Sequence, residues 1–182
     1  KTIGEQVFYG NGEYPSKEQI ENEAIHVVEK HPNLRVIFAH FFFIADDLEK
    51  AAGYFERFPN MMLDITPGWE MFESFSANYD ASRSFFKKYK NRIFYGSDTI
   101  SEHWRTTIGN LRRVIETEEK FVSFEENCHG LNLDEETMRA LYQENYKRFL
   151  PAQPNAMNVN EIIGYADRLT DDFIYVHCVR LC

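Results

Sequence analysis

The spacing of hydrophobic residues changes repeatedly along the chain, and these changes predict the order of its secondary structure. Short, largely apolar runs at residues 35–40, 61–65 and 92–98 are typical of strands buried on both faces of a parallel sheet. Between these runs, apolar residues recur with the spacing of one helix face. Strands and helices therefore alternate at intervals of about 25 to 35 residues, which predicts an α/β fold of repeated βα units.

The first helix has a recognisable beginning and end in the sequence. Ser16 followed by Gln19 has the pattern of a capping box, in which each side chain hydrogen-bonds to the other residue's backbone. His31 and Pro32 end the helix, because the residue before a proline avoids helical dihedral angles. The face expected to be buried comprises Ile20, Ala24, Val27 and Val28.

Similar signals predict the elements that follow. Asp46 or Asp47 is expected to begin a second helix, and a third helix covers residues 79–90. Cys128 and His129 are expected to lie in a loop, since their spacing to other cysteines and histidines matches no standard zinc pattern. Only three strands are predicted, so two apolar sheet edges are left open.

A domain boundary is predicted near the C-terminal end. A helix over about residues 132–149 is followed by Pro151 and Pro154, which cannot continue it. We therefore expect one domain at residues 1–150 and a C-terminal helix and tail at residues 151–182.

The composition excludes several classes of protein. The 182 residues carry a formal charge of −9 with scattered lysines and arginines, which argues against binding to nucleic acid or to an anionic membrane surface. No apolar run approaches the roughly 20 residues that span a bilayer. Three cysteines do not make a disulfide framework, which favours a reducing, cytoplasmic location.

Two of the predicted strands end on residues that can bind metal or move protons. The first run finishes at His40 and the third at Asp98. Parallel strands end at the same edge of a sheet, which is where α/β enzymes place their chemistry. Each residue also has a structural interpretation: His40 could hydrogen-bond to a backbone carbonyl, and Asp98 could cap the next helix. Asp64, within the second run, is expected to be structural, because a buried carboxylate needs partners.

Four segments in order resemble the C-terminal half of the amidohydrolase-related family, over about residues 16–150. That family comprises metal-dependent (β/α)8-barrel hydrolases and decarboxylases. The segments similar to its sixth, seventh and eighth strands and its closing helix are HPNLRVIFAH (31–40), NMMLDIT (60–66), RIFYGSDT (92–99) and LYQENYKRFL (141–150). The resemblance implies a (β/α)8 barrel of which this chain supplies strands six to eight with their helices.

The resemblance also implies roles for individual residues. Asp98 would be the metal ligand of the eighth strand and would take the proton from the attacking water, beside zinc or manganese. His40 would orient or polarise the substrate and the water. The substrate would be a small carboxylate or carbonyl compound. Thr66, His103 and Trp104 lie past predicted strand ends and could line its pocket, or could pack as ordinary loop residues.

The sequence departs from the family at its other metal ligands. No His-x-His pair occurs, whereas a catalytic zinc site takes about three protein ligands. The simplest expectation is that the chain is the C-terminal part of a longer enzyme and is inactive alone, unless a homo-oligomer completes the site. The alternative is a non-catalytic half-barrel that binds a partner chain through its open sheet edge. A flavodoxin-like binding domain lacks support, because no glycine-rich phosphate loop follows any strand.

Overall fold

A parallel sheet lies at the centre of the computed structural model. Its strands are β1 (Val36–Phe38), β2 (Met61–Asp64) and β3 (Ile93–Phe94), with β2 in the middle. Their residues are apolar because helices cover the sheet, and β2 and β3 are almost wholly buried. The parallel registers pair Val36 with Met61 and Leu63 with Ile93, so the three carboxyl ends share one edge.

The structure describes residues 14–67, 70–98, 104–123 and 126–150, with only the backbone at Trp104 and Glu126. The C-terminal helix and tail predicted at residues 151–182 lie outside these ranges, so the boundary there stays a prediction. Within the same ranges, none of the helices has both the length and the apolar character that crossing a membrane requires.

Helices connect the strands in the predicted order. The first helix, α1 (Lys17–Lys30), precedes β1, and α2 (Leu48–Arg57) joins β1 to β2. Two helices, α3 (Met71–Ala77) and α4 (Tyr79–Tyr89), join β2 to β3, and α5 (Trp104–Glu116) follows β3. The protein is therefore a mixed α/β structure with a parallel sheet, compatible with part of a (β/α)8 barrel.

The predicted caps of the first two helices are confirmed. Ser16 and Gln19 form both hydrogen bonds of the capping box at the beginning of α1, with distances of 3.1 and 2.7 Å. Asp47, the second of the two candidates, caps α2 by accepting a hydrogen bond from the backbone N–H of Lys50 at 2.9 Å. These contacts depend only on neighbouring residues, which is why the sequence predicts them.

The predicted buried face of α1 is confirmed at Val28 and wrong at Ile20 and Val27. Ile20 and Val27 are 45% and 49% exposed, whereas α1 buries Glu21 together with Ile25 and Val28. The reason is electrostatic: the Glu21 carboxylate accepts a hydrogen bond from the Tyr54 hydroxyl and contacts the Lys50 ammonium, both at 2.5 Å. A buried acid with two partners on α2 sets the rotation of α1, and apolar spacing alone does not reveal it.

The loop predicted around Cys128 and His129 is instead part of an antiparallel hairpin. Its strands are β4 (Lys120–Ser123) and β5 (Glu126–His129). The backbone N–H of His129 donates to the Ser76 hydroxyl on α3 at 2.7 Å, and Cys128 is buried. The hairpin sequence is too polar to show the alternation that marks a strand, so these tertiary contacts decide its structure.

The closing helix runs from α6 (Glu135–Arg139) through a π-helical turn (Ala140–Glu144) into α7 (Asn145–Phe149). Asp134 caps it by accepting from the Thr137 N–H at 2.8 Å, two residues after the expected start. The carbonyl of Leu141, within the π turn, accepts a hydrogen bond from the Tyr95 N–H at 3.2 Å. The closing helix is thereby attached to the chain leaving β3.

Candidate active site

The predicted catalytic residues His40 and Asp98 lie at the carboxyl edge of the sheet, but not on the strands themselves. β1 ends at Phe38 and β3 at Phe94, so the predicted strands reaching His40 and Asp98 are too long. Both residues have a positive φ, 55° for His40 and 45° for Asp98. This conformation is incompatible with a strand.

His40 begins a left-handed turn that includes three phenylalanines. Residues 40–43 have φ between 51° and 55°, which costs roughly 1–2 kcal/mol per residue for L-amino acids. Phe41 is fully buried, and its ring meets the Phe75 ring edge-on at 5.0 Å, so packing offsets the strain. Phe41 thus fills the core, while Phe43 is 46% exposed.

The side chains of His40 and Asp98 meet across the edge. Nε2 of the imidazole lies 3.9 Å from Oδ2 of the carboxylate, and the two side chains are 27% and 70% exposed. The other ring nitrogen, Nδ1, is buried and has no hydrogen-bond partner among the described residues. A half-buried imidazole beside an exposed carboxylate, open to solvent on one side, can bind a ligand or exchange a proton.

Asp64, at the end of the central strand, has the partners that a partly buried carboxylate needs. Its Oδ1 accepts hydrogen bonds from the backbone N–H groups of His40 and Thr66, both at 3.0 Å. The structural role predicted for this residue is therefore consistent with its contacts. One carboxylate oxygen ties the end of β2 to the beginning of the left-handed turn after β1.

Gly96 brings the chain after β3 against the same carboxylate. A Cβ atom there would overlap the Thr66 hydroxyl oxygen and would lie 3.3 Å from Oδ2 of Asp64. Only glycine leaves room for this approach. Thr66 is buried, with its hydroxyl facing Gly96, and its predicted contact with substrate stays a prediction.

Tyr146, on α7, is a neighbour that sequence reasoning missed. Its hydroxyl donates a hydrogen bond to the carbonyl of Tyr95, and its ring meets Phe94 edge-on at 5.0 Å. Burial raises the pKa of Tyr146, and the nearby Asp64 carboxylate raises it further. The tyrosine therefore stays neutral and supports the chain leaving β3. The only signal in the sequence is its position within the closing-helix segment.

Comparison with known proteins shows which family the chain belongs to. A family model described as amidohydrolase matches residues 12–152. The chain belongs to the amidohydrolase family. Searches of curated proteins and of solved structures gave no match. The matched region contains all three sheet strands and both residues of the pair at their carboxyl edge, so the family supports a hydrolase- or decarboxylase-type function for this amidohydrolase.

Two further predicted site residues have no described side chain. His103 lies outside the described residues, and Trp104 is described only as the first backbone position of α5. His129, away from the pair, stacks on the Tyr79 ring at 4.2 Å. The predictions that His103 and Trp104 contact substrate therefore stay predictions.

The donor set at the edge fits part of a metal centre. Two ligands of one zinc ion lie about 3–4 Å apart, because each binds at about 2 Å. The 3.9 Å between Nε2 of His40 and Oδ2 of Asp98 is within that range, and an imidazole nitrogen and a carboxylate oxygen are both zinc donors. Across the described ranges, however, no three His, Cys, Asp or Glu side chains form a group that could hold an ion.

Proposed function

We propose that this amidohydrolase is part of a metal-dependent hydrolase, or of a non-oxidative decarboxylase, acting on a small carboxylate or carbonyl compound. The observation that carries the proposal is the pair of His40 and Asp98, whose side chains approach to 3.9 Å at the carboxyl edge of a parallel sheet. Family membership supports the reaction class, and the edge of the sheet is where such folds carry catalytic residues.

Each member of the pair has a role suited to its surroundings. Asp98 is exposed and has a carboxyl group, so it would hold the divalent ion, zinc or manganese, and take a proton from water. When bound, the ion supplies Lewis-acid activation of the water and of the substrate. Nδ1 of His40 is buried and Nε2 faces Asp98. His40 would therefore exchange protons through Nε2, on the side where Asp98 would hold the ion.

The remaining ligands come, in this proposal, from strands outside this sequence. The described strands would be the sixth, seventh and eighth of a (β/α)8 barrel. Two observations support this interpretation: the sequence has no His-x-His pair, and β1 pairs only with β2 among the described strands. A closed barrel leaves no such edge, because every strand in it pairs with a neighbour on both sides.

The outer edge of β1, which has no partner among the described strands, also favours a second candidate function. Val36, Ile37 and Phe38 are only half-buried, and a half-barrel with this edge could pair with a strand of a partner chain without any catalysis. The two candidates differ in what Asp98 does. Catalysis requires it to bind metal, whereas a docking module does not.

Manganese titration followed by NMR separates the candidates. A bound Mn²⁺ ion broadens amide signals near it, so we expect the signals of His40 and Asp98 to lose intensity first at substoichiometric metal. Asp98→Ala should abolish this selective loss. Asp46→Ala, which removes another exposed aspartate, should leave it unchanged.

Two results of the manganese titration would contradict the proposed metal site. Broadening that begins instead at the acidic segment of residues 116–119 would show nonspecific binding to surface carboxylates. Selective broadening at the edge that survives Asp98→Ala would remove Asp98 from the metal site. Either outcome would favour the docking module over the enzyme.

A further inference from the structure

We infer that Asp64 is a positioning residue for the candidate active site. Its carboxylate lies at the end of the central strand and touches the chain at the ends of both neighbouring strands. We infer that it sets where His40 stands relative to Asp98. This inference rests on the proposed function for its catalytic meaning, although the contacts themselves are independent of any metal.

The first step concerns the left-handed turn. The backbone N–H of His40 donates to Asp64 Oδ1 at 3.0 Å, and His40 is the first residue of the turn with positive φ. A strained backbone conformation persists only where several contacts with its surroundings hold it in place. Phe41 fixes the turn from the core side, and the Asp64 carboxylate fixes it from the sheet edge. A hydrogen bond to a carboxylate is roughly twice as strong as a neutral one.

The second step concerns the chain after β3. Gly96 packs so closely that its missing Cβ would lie 3.3 Å from Oδ2 of Asp64. Asp98 follows two residues later, in its own positive-φ conformation. The two oxygens of one carboxylate therefore face the two segments that carry His40 and Asp98. Their separation depends on this shared contact rather than on either strand alone.

The third step concerns how Asp64 acts. Oδ1 of Asp64 already accepts two backbone hydrogen bonds, and the carboxylate is only partly exposed. That oxygen is therefore engaged by the backbone on both sides, at His40 and at Thr66. Asp64 thus acts through His40 and Thr66, and its contribution is geometric.

Amide hydrogen exchange of the metal-free chain tests the inference. In Asp64→Ala, we expect exchange at the His40 and Thr66 amides to accelerate at least about 10-fold, since both lose their acceptor. The Val36 amide, bonded to the Asn60 carbonyl at 3.1 Å on the opposite edge, should keep its protection. The cross-peaks between the His40 and Phe43 rings, whose centroids are 5.1 Å apart, should weaken.

Two further variants make the result specific. Asp64→Asn keeps an acceptor oxygen in the same place, so it should restore most of the protection and the ring cross-peaks. Asp47→Ala removes a different carboxylate that accepts a backbone N–H, at the cap of α2, and should leave the His40 amide unchanged. If Asp47→Ala and Asp64→Ala affect His40 equally, the effect is general destabilisation and the inference is wrong.

The test is independent of the manganese experiment. Unchanged exchange at His40 in Asp64→Ala would overturn the positioning role even if Asp98 binds metal. Loss of protection at His40 and Thr66 alone would support it even if Asp98 binds no metal, in which case only the catalytic interpretation would fail.

Discussion

The two edges of the parallel sheet are built in opposite ways. At the amino edge, the half-buried guanidinium of Arg92 donates to the backbone carbonyls of Met61 and Phe58, with Nε at 2.7 Å from the Met61 oxygen. Burial lowers the pKa of Arg92, but the carbonyl oxygens around it satisfy its donors. At the carboxyl edge, His40 has a buried nitrogen without a described partner, and the backbone has positive φ at both His40 and Asp98.

In the proposed function, the amino edge stabilises the fold and the carboxyl edge carries the chemistry. Satisfied hydrogen bonds at the amino edge hold β2, β3 and the end of α2 together. Strained backbone and an exposed carboxylate at the carboxyl edge contribute little to folding, and such features cluster at functional sites. In (β/α)8 barrels the amino face serves stability and the carboxyl face carries the active site. Substitutions at the two edges should therefore have different signatures.

Removing Arg92 should have the largest effect on folding. Arg92→Ala leaves the carbonyls of Met61 and Phe58 without their charged donor, so we expect the free energy of unfolding to fall by about 3 kcal/mol. Urea denaturation followed by circular dichroism measures this change. Arg139→Ala is the matched control, because its exposed pair with Glu135 should contribute at most about 0.5 kcal/mol. Equal losses of stability in the two variants would show that the hydrogen bonds of Arg92 do not stabilise the amino edge.

Asn145 tests the amino edge from the closing helix. Its buried amide donates to the carbonyls of Lys90 and Ile93 at 2.7 and 2.6 Å, just before and within β3. Asn145→Ala should lower the free energy of unfolding by about 2 kcal/mol, because both carbonyls lose their donor. The urea midpoint reports the change, and the exposed Asn22→Ala should shift it little. A shift as small as that of Asn22→Ala would show that the closing helix is held by its apolar contacts instead.

Gly96 lies at the carboxyl edge, yet its close packing should contribute to stability. Gly96→Ala places a methyl group against the Thr66 hydroxyl, which we expect to cost about 1–2 kcal/mol. Removing that hydroxyl with Thr66→Ala should reduce the cost in the double variant, a coupling that a double-mutant cycle of urea denaturation measures.

The control for Gly96 should change stability in the opposite direction. Gly53 lies in α2 with no atom within 4 Å of a Cβ position, so Gly53→Ala should stabilise the protein by roughly 0.5–1 kcal/mol. A Gly96→Ala variant as stable as the wild type would mean that the ends of β2 and β3 move apart freely. The close contact on the Asp64 carboxylate would then have no energetic importance.

The sequence predicts those parts of the molecule that depend on neighbouring residues. The capping box at Ser16, the cap at Asp47 and the bounds of α4 follow from local signals, and the order of the three strands follows from their apolar runs. His40 and Asp98 are found because they follow such runs, and the structure brings their side chains together. Their chemical roles remain predictions.

Other features depend on contacts between distant segments and could not be read in advance. The rotation of α1 depends on the partners of Glu21 on another helix, and the hairpin containing Cys128 depends on its packing against α3. The left-handed turn at His40 contains no glycine, so the sequence gives no local signal for it. The buried Phe41 and the Asp64 carboxylate hold the turn in place. Sequence patterns report propensity, and tertiary contacts override it at these positions.

The smallest expected effect is also the one that most directly tests the carboxyl edge. Asp98 is 70% exposed and has φ of 45°, a conformation that glycine adopts without the penalty borne by other residues. Asp98→Gly should therefore raise the free energy of unfolding by up to about 1 kcal/mol, while it removes the proposed metal ligand. Asp46→Gly, at an exposed aspartate without positive φ, should lower that energy by a few tenths to about 1 kcal/mol through the entropy of the unfolded chain. Opposite signs in urea denaturation would show that the chain retains Asp98 at a cost to its stability, as expected of a functional residue. A loss comparable to that of Arg92→Ala would instead make Asp98 a structural residue, and the two edges would no longer differ.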